Sequence, residues 1–305
     1  MTSPHRLQVW NTALCAAVAL IGGVAAAIGI FARGDGTFET VTSARGEVYE
    51  MATTGVYAFN ARQVVAEGVG WDVFTLVIAV PALLIAALLV ARGSFRGHLL
   101  AAGMLGYFLY MYLEYAVTWA FGPLFVLFVI LVAASLVGLI GIASALGEFG
   151  LEGRFTEEFP RRTWAALSVA MSLLLVAMWA SRIAQALGGE IEGVLHGETT
   201  MTVQALDLGL MVPLSLLIAV QAWRRSPVAI AAAAAFAVTF VAMSSAIASM
   251  MVSASIVSGT LQLPPILIFG LAVIAGGLVA ARMYSSVDSP HAQVQRPQPA
   301  LRIGS

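Results

Sequence analysis

The chain has 305 residues, of which 60% are hydrophobic and only 10% charged, with a formal net charge of −1 and a mean hydropathy of +0.92. These values exclude an ordinary soluble domain and give no basis for nucleic-acid binding. All 15 Lys+Arg residues are arginine, which excludes lysine Schiff-base chemistry, and the one cysteine, Cys15, excludes disulfides, thiolate metal cages and Cys-x-x-Cys redox motifs within one chain.

Apolar runs of about 20 residues recur along the chain, each long enough to cross a hydrocarbon core of ~30 Å as a helix. The alternating pattern of a membrane barrel is missing. The expected fold is an all-α integral membrane protein with eight transmembrane helices, near residues 9–32, 71–92, 98–120, 122–146, 163–186, 205–223, 227–250 and 263–282. The first run is too long for a cleaved signal and reads as a retained helix.

Arginine placement sets the orientation. With the N-terminus inside, the inner segments hold Arg6, Arg92, Arg96, Arg154, Arg161, Arg162, Arg224, Arg225, Arg282, Arg296 and Arg302, and the outer side holds Arg33, Arg45, Arg62 and Arg182. The positive-inside bias then places both termini in the cytoplasm of a bacterial-type cytoplasmic membrane. Two acidic outer loops follow, 33–70 and 187–204. Within the first, Val48 to Val65 mixes apolar and polar residues and is expected to lie on the membrane surface as a helix. The tail 283–305, rich in Pro, Gln and Ser, reads as disordered.

The second and sixth spans resemble each other. Each starts near an aspartate, Asp72 or Asp207, carries a mid-helix proline, Pro81 or Pro213, and reaches an arginine, Arg92 or Arg224, eleven positions later. This suggests two parallel four-helix halves, 1–146 and 163–282, joined by a cytoplasmic linker, 147–162. Pro81 and Pro213 are expected to break their helices and free backbone carbonyls inside the bilayer. Small-residue spacings such as Gly22 and Gly23 with Ala26 and Ala27 fit packing within the bundle, with a homodimer contact as the alternative.

The third span holds GYFLYMYLEYAVTW, Gly106 to Trp119, with a glutamate among four tyrosines. At about 100° per residue, Tyr107, Tyr110, Glu114 and Thr118 share one stripe, and Phe108, Tyr112, Tyr115 and Trp119 a second. Glu114 lies roughly 7 to 8 Å below Trp119, the expected interface marker. A carboxyl at that depth must be protonated, paired or wetted, which makes it a candidate functional group. Arg182 and Arg62 are its candidate charge partners, and Tyr107 and Tyr110 its hydrogen-bond shell. Together with Asp72 and Asp207 they outline an outward-facing polar pocket between the halves. The plainer reading gives Asp72 and Asp207 to helix N-capping and the second stripe to an interfacial aromatic belt.

Glu192 and His196 are four apart in the second outer loop, but one histidine among glycines reads as a flexible acidic loop, so no metal site is assigned. His98 reads as an interfacial residue. Motifs for ATP binding, zinc proteolysis, serine hydrolysis and bis-histidine haem are absent, and no cofactor or catalytic residue is assigned. The partners implied are the lipid bilayer, a small solute or ion, and a second copy or another membrane protein. The leading functional expectation is a secondary transporter or permease, coupled to protons through Glu114. The alternatives are a non-catalytic sensor or assembly subunit acting through its outer loops and, behind it, a lipid-modifying enzyme.

Overall fold

The computed structural model of the protein describes residues 4–287. Among them, eight helical units are long and apolar enough to cross a membrane, and the chain is a multi-pass membrane protein. The chain order is α1 (Pro4–Phe31), a hairpin of β1 (Phe38–Thr42) and β2 (Val48–Ala52), α2 (Arg62–Phe74), α3 (Val80–Ala91), α4 (Phe95–Thr118), α5 (Phe125–Glu148), α6 (Arg161–Leu187), α7 (Thr202–Leu206), α8 (Val212–Trp223), α9 (Pro227–Ser258) and α10 (Leu263–Ser285). Two π-helical segments, Thr75–Ala79 and Asp207–Met211, join α2 to α3 and α7 to α8 into continuous spans.

One end of the bundle carries the hairpin and the 188–201 segment. The other carries the arginine-rich turns after α3, α5 and α8. There the 149–160 connection is tied to the end of α10: Thr156 N–H donates to Ser286 O at 2.8 Å, and Arg96 donates to Val287 O at 3.0 Å. Of the tail expected to be disordered, residues 283–287 are described and α10 runs through them to Ser285. The remainder, 288–305, lies outside the described residues.

Three expectations change. The surface helix over Val48 to Val65 is replaced by β2, a turn and the start of α2. The chain reverses through Gly46 in the left-handed region, and Ser43 Oγ accepts from the N–H groups of Arg45 and Glu47, which favours a hairpin over a helix. The first outer segment therefore ends at Ala61 rather than residue 70, because α2 begins at Arg62. Gln63 and Glu67 pair at 2.7 Å on a helical face that looks into the protein, and their polarity disguises this turn as loop.

Pro81 and Pro213 do not interrupt their spans. Each stands at the second position of a twelve-residue α-helix, preceded by five π-helical residues. The wider turn accommodates the proline ring without losing the helix. Both prolines are exposed on the outer face, while Thr75, at the start of the first π segment, is fully buried.

The two proline spans match beyond their π segments. Each ends in a residue at positive φ, Gly93 or Arg225, followed by a serine, Ser94 or Ser226, whose side chain caps the next helix by accepting from Gly97 N–H or Ala229 N–H. All these pairs are separated by the same 132 positions. In this register the partner of Asp72 is Gln204, and the partner of Asp207 is Thr75.

The centre of the bundle is the packing of α4 and α2 against α9. Alanines and glycines let the backbones approach closely. A Cβ on Gly103 would stand 2.4 Å from Ala235 O, and one on Gly70 2.5 Å from Ser249 O. The approach is fastened by Thr239 Oγ1 donating to Gly103 O at 2.8 Å and Ser249 Oγ donating to Gly70 O at 2.6 Å.

Candidate functional site

The two stripes of α4 meet different neighbours. Phe108, Tyr112 and Tyr115 turn toward α1, α2 and α5, where Tyr112 OH donates to Gly22 O at 3.0 Å and Tyr115 OH to Gly68 O at 3.2 Å. This stripe is a buried aromatic core rather than an interfacial belt. Trp119, at its end, packs against Tyr57 and Tyr115 with ring centres 4.3 and 4.6 Å away.

Asp72 lies in that aromatic core. It is ten residues inside its helix and 1% exposed, so it caps nothing; Tyr57 OH donates to its Oδ2 at 2.5 Å. Gly29 of α1 lies so near that a Cβ there would be 2.1 Å from both Asp72 Oδ2 and the Tyr57 hydroxyl. The aspartate is sealed by its neighbours and has no opening to the pocket expected for it. Tyr107 is likewise fully buried, and its hydroxyl shares a 2.6 Å hydrogen bond with Thr75 Oγ1 rather than reaching Glu114.

The rest of the first stripe does meet a cavity. A space of about 550 Å³ lies between α2 and α4 on one side and α6, α9 and α10 on the other, reaches the 193–201 segment, and is lined by Tyr110, Glu114 and Thr118 of α4. Its other walls follow helical spacing: Gln63, Glu67 and Trp71 from α2, Leu175, Met178, Trp179 and Arg182 from α6, and Met243, Ile247, Met250 and Met251 from α9. Gln204 and Asp207 close the deep end, and Phe269 of α10 adds an apolar side. Tyr110 sits two turns below Thr118, about 12 Å deeper along the helix.

At the deep end Tyr110 OH donates to Asp207 Oδ1, and Trp179 Nε1 donates to Asp207 Oδ2 at 2.8 Å. Asp207 is five residues inside its helical span, beyond any capping position, and opens the π segment. Glu114 differs from both aspartates. It is 7% exposed, it lines the cavity, and among the described residues nothing donates a hydrogen bond to it and no arginine pairs with it. Its expected partners are engaged elsewhere. Arg62 pairs with Glu50 at 2.8 Å on the surface, and the Arg182 guanidinium donates to Val194 O at 3.1 and 2.8 Å.

The 188–201 segment forms the mouth, and it is held rather than flexible. Glu47, 1% exposed at the end of the hairpin turn, accepts from the backbone N–H groups of Gly193, His196 and Gly197 at 3.0, 3.1 and 2.8 Å. Gly193, His196 and Gly197 all have positive φ, so the glycines here serve a tight anion-binding turn around an internal carboxylate. That turn directs Glu198 and His196 at the cavity. Burial, with repulsion from Glu47 and Glu67, raises the Glu198 carboxyl to about 7 despite the opposing pull of Arg182. Burial and the charge of Arg182 hold the His196 imidazole below its ordinary value.

Of the residues singled out in the sequence, Glu114, Tyr110, Asp207 and Arg182 therefore share one cavity, and Asp72 and Tyr107 lie outside it. His98 is buried against Phe149, with Nδ1 2.8 Å from Ser94 O. Glu67, Glu198, Trp179 and Gln204 were missed. Two signals pointed to Glu67 and Trp179: the four-residue spacing of Gln63, Glu67 and Trp71, and the spacing of Leu175, Met178, Trp179 and Arg182 along one helical face; no spacing pointed to Glu198 or Gln204. No protein family, no curated protein and no solved structure matches the chain.

Proposed function

We propose that the protein is a secondary transporter of a small solute, coupled to protons through Glu114, and that the cavity between its halves is the binding site. The single observation carrying this reading is a buried carboxyl without a partner that opens into a cavity of ligand size. Intramembrane acids are costly and persist where they bind or move ions and protons, and cavities of about 300–1,000 Å³ suit small molecules. In this reading the cavity opens to the outside, both termini are cytoplasmic and the membrane is the cytoplasmic membrane of a bacterium. The matched proline spans and serine caps support a chain built from two parallel repeats, with α4 and α9 flanking the pseudo-twofold axis. Asp207 and Tyr110 form the floor, Arg182 braces the mouth, and the π segments beside Pro81 and Pro213 are where the spans yield during alternating access.

Proton movement in proteoliposomes tests it. A pH gradient across vesicles holding the wild-type protein should dissipate faster than in empty vesicles, and Glu114→Gln protein of equal yield and gel-filtration profile should lose that excess. Equal flux in both proteins overturns the role of Glu114.

A second reading, a non-catalytic sensor or assembly subunit, is favoured by the cap in which Glu47 locks the hairpin to the 188–201 segment. A partner that survives detergent extraction and is lost with Glu47→Ala, together with no flux from the protein alone, would support it.

A further inference from the structure

Resting on the transport reading, we infer that the solute is a lipophilic organic monocation, a bulky amine or quaternary onium, whose charge is met by Glu114 and whose apolar groups lie on the cavity's aromatic and methionine walls. The charge balance of the cavity carries the first half of this inference. Four carboxyl groups face it, Glu67, Glu114, Glu198 and Asp207, against one arginine and His196. The arginine is committed: its guanidinium already donates to two backbone carbonyls, of Val194 and Gly193. Glu67 has Gln63 as a donor and Asp207 has Tyr110 and Trp179. Glu114, more than nine-tenths buried, is left without a partner, and a cation is the species that completes it.

The walls carry the second half. Trp71, Trp119, Trp179, Tyr110 and Phe269 all contribute surface, and aromatic faces attract cations through their quadrupoles. Met178, Met201, Met243, Met250 and Met251 supply an adaptable apolar surface that suits ligands of varied outline. A hydrated metal ion would find no comparable fit, because among the described residues no three acids or histidines converge on one point. Anions face four carboxyl groups and one arginine whose donors are already engaged. Exchange of one proton on Glu114 for one bound monocation leaves the charge of the cavity unchanged, which makes the occupied and the protonated states equivalent passengers for alternating access. The groups facing Glu114 across the cavity are Glu67 from α2, Arg182 from α6, Asp207 with Tyr110, and Glu198 with His196 from the mouth.

Tetraphenylphosphonium and its isosteric anion tetraphenylborate separate charge from hydrophobicity. Equilibrium dialysis of the purified full-length protein in detergent should show saturable phosphonium binding that tightens between about pH 5.5 and about pH 8.5 as the carboxyls lose protons. Glu114→Gln should weaken it by about tenfold or more, the loss of one charge contact worth a decade in Kd, while Glu114→Asp retains most of it. Tetraphenylborate should neither bind saturably nor compete. Equal binding of the two ions, or unchanged phosphonium binding in Glu114→Gln protein of wild-type gel-filtration profile, would overturn the inference. Glu114-dependent proton flux without phosphonium binding overturns the substrate class and leaves the transport reading standing. Phosphonium binding without gradient-driven uptake into proteoliposomes supports the cation site and removes the transporter.

Discussion

Thr75 and Asp207 stand at the same place in two helical spans of one design, each opening a π-helical segment six positions before a proline. Around Thr75 the protein is closed: its hydroxyl bonds Tyr107, the nearby Asp72 is held by Tyr57, and α1 comes so close at Gly29 that no side chain fits. Around Asp207 the protein is open, with a cavity, a braced mouth and a free glutamate. The difference teaches that a buried acid is structural or available according to what its neighbours have already satisfied. Asp72 has been absorbed into packing; Glu114 has not.

The largest expected effect breaks the closed side. Gly29→Ala forces a methyl group onto Asp72 and Tyr57 and should cost about 3 kcal/mol or more, the range of severe overpacking at a buried polar site. Gly209→Ala on the open side meets nothing within 4 Å and should be neutral or stabilising by up to about 1 kcal/mol through helix propensity. Thermal unfolding followed by tryptophan fluorescence compares them. Next come the tyrosines. Tyr57→Phe leaves the sealed Asp72 with only the long 3.5 Å contact to Tyr115 and should cost about 1–3 kcal/mol. Tyr110→Phe should cost under about 1 kcal/mol, since Asp207 keeps Trp179 and can be wetted from the cavity.

Glu198 gives a smaller, pH-dependent effect at the mouth. Its carboxyl is raised by burial from 4.5 to about 7, so between these values the folded state holds a proton that the unfolded state has released. Stability from this group is full below about pH 4.5 and falls as pH rises to about 7. Glu198→Gln should therefore raise the melting temperature by a few degrees at pH 8, make no difference at pH 4, and flatten the profile between. The smallest stability effect belongs to Glu114→Gln, within about 0.5 kcal/mol because no hydrogen bond or ion pair is lost. A cost above about 2 kcal/mol would place Glu114 with Asp72 as a structural acid.

Much of the bundle was legible because lipid imposes a simple rule on sequence: about 20 apolar residues per crossing. The boundary of α2 was not, since the rule fails where a helix turns a polar face to an internal cavity, and Gln63 and Glu67 then look like loop. Helical periodicity separated the two stripes of α4 correctly but could not say which stripe met an empty space. Nothing in the spacing of Tyr107 distinguishes it from Tyr110; the first meets Thr75 and the second Asp207 only because α2 and α7 pack on different sides. The role of Glu47 was hidden for the same reason, as its three donors lie about 150 residues downstream.

The most direct test of the contrast between the two sides is paired cysteine labelling. In a Cys15→Ser background, Ile247→Cys lines the cavity and Thr75→Cys, at the position matched to Asp207, is fully buried. A membrane-impermeant, cationic methanethiosulfonate should modify the Ile247→Cys protein in sealed vesicles and leave the Thr75→Cys protein unmodified until it is denatured. Labelling of both at equal rates, or of neither, would contradict an open cavity on one side and a sealed aromatic core on the other.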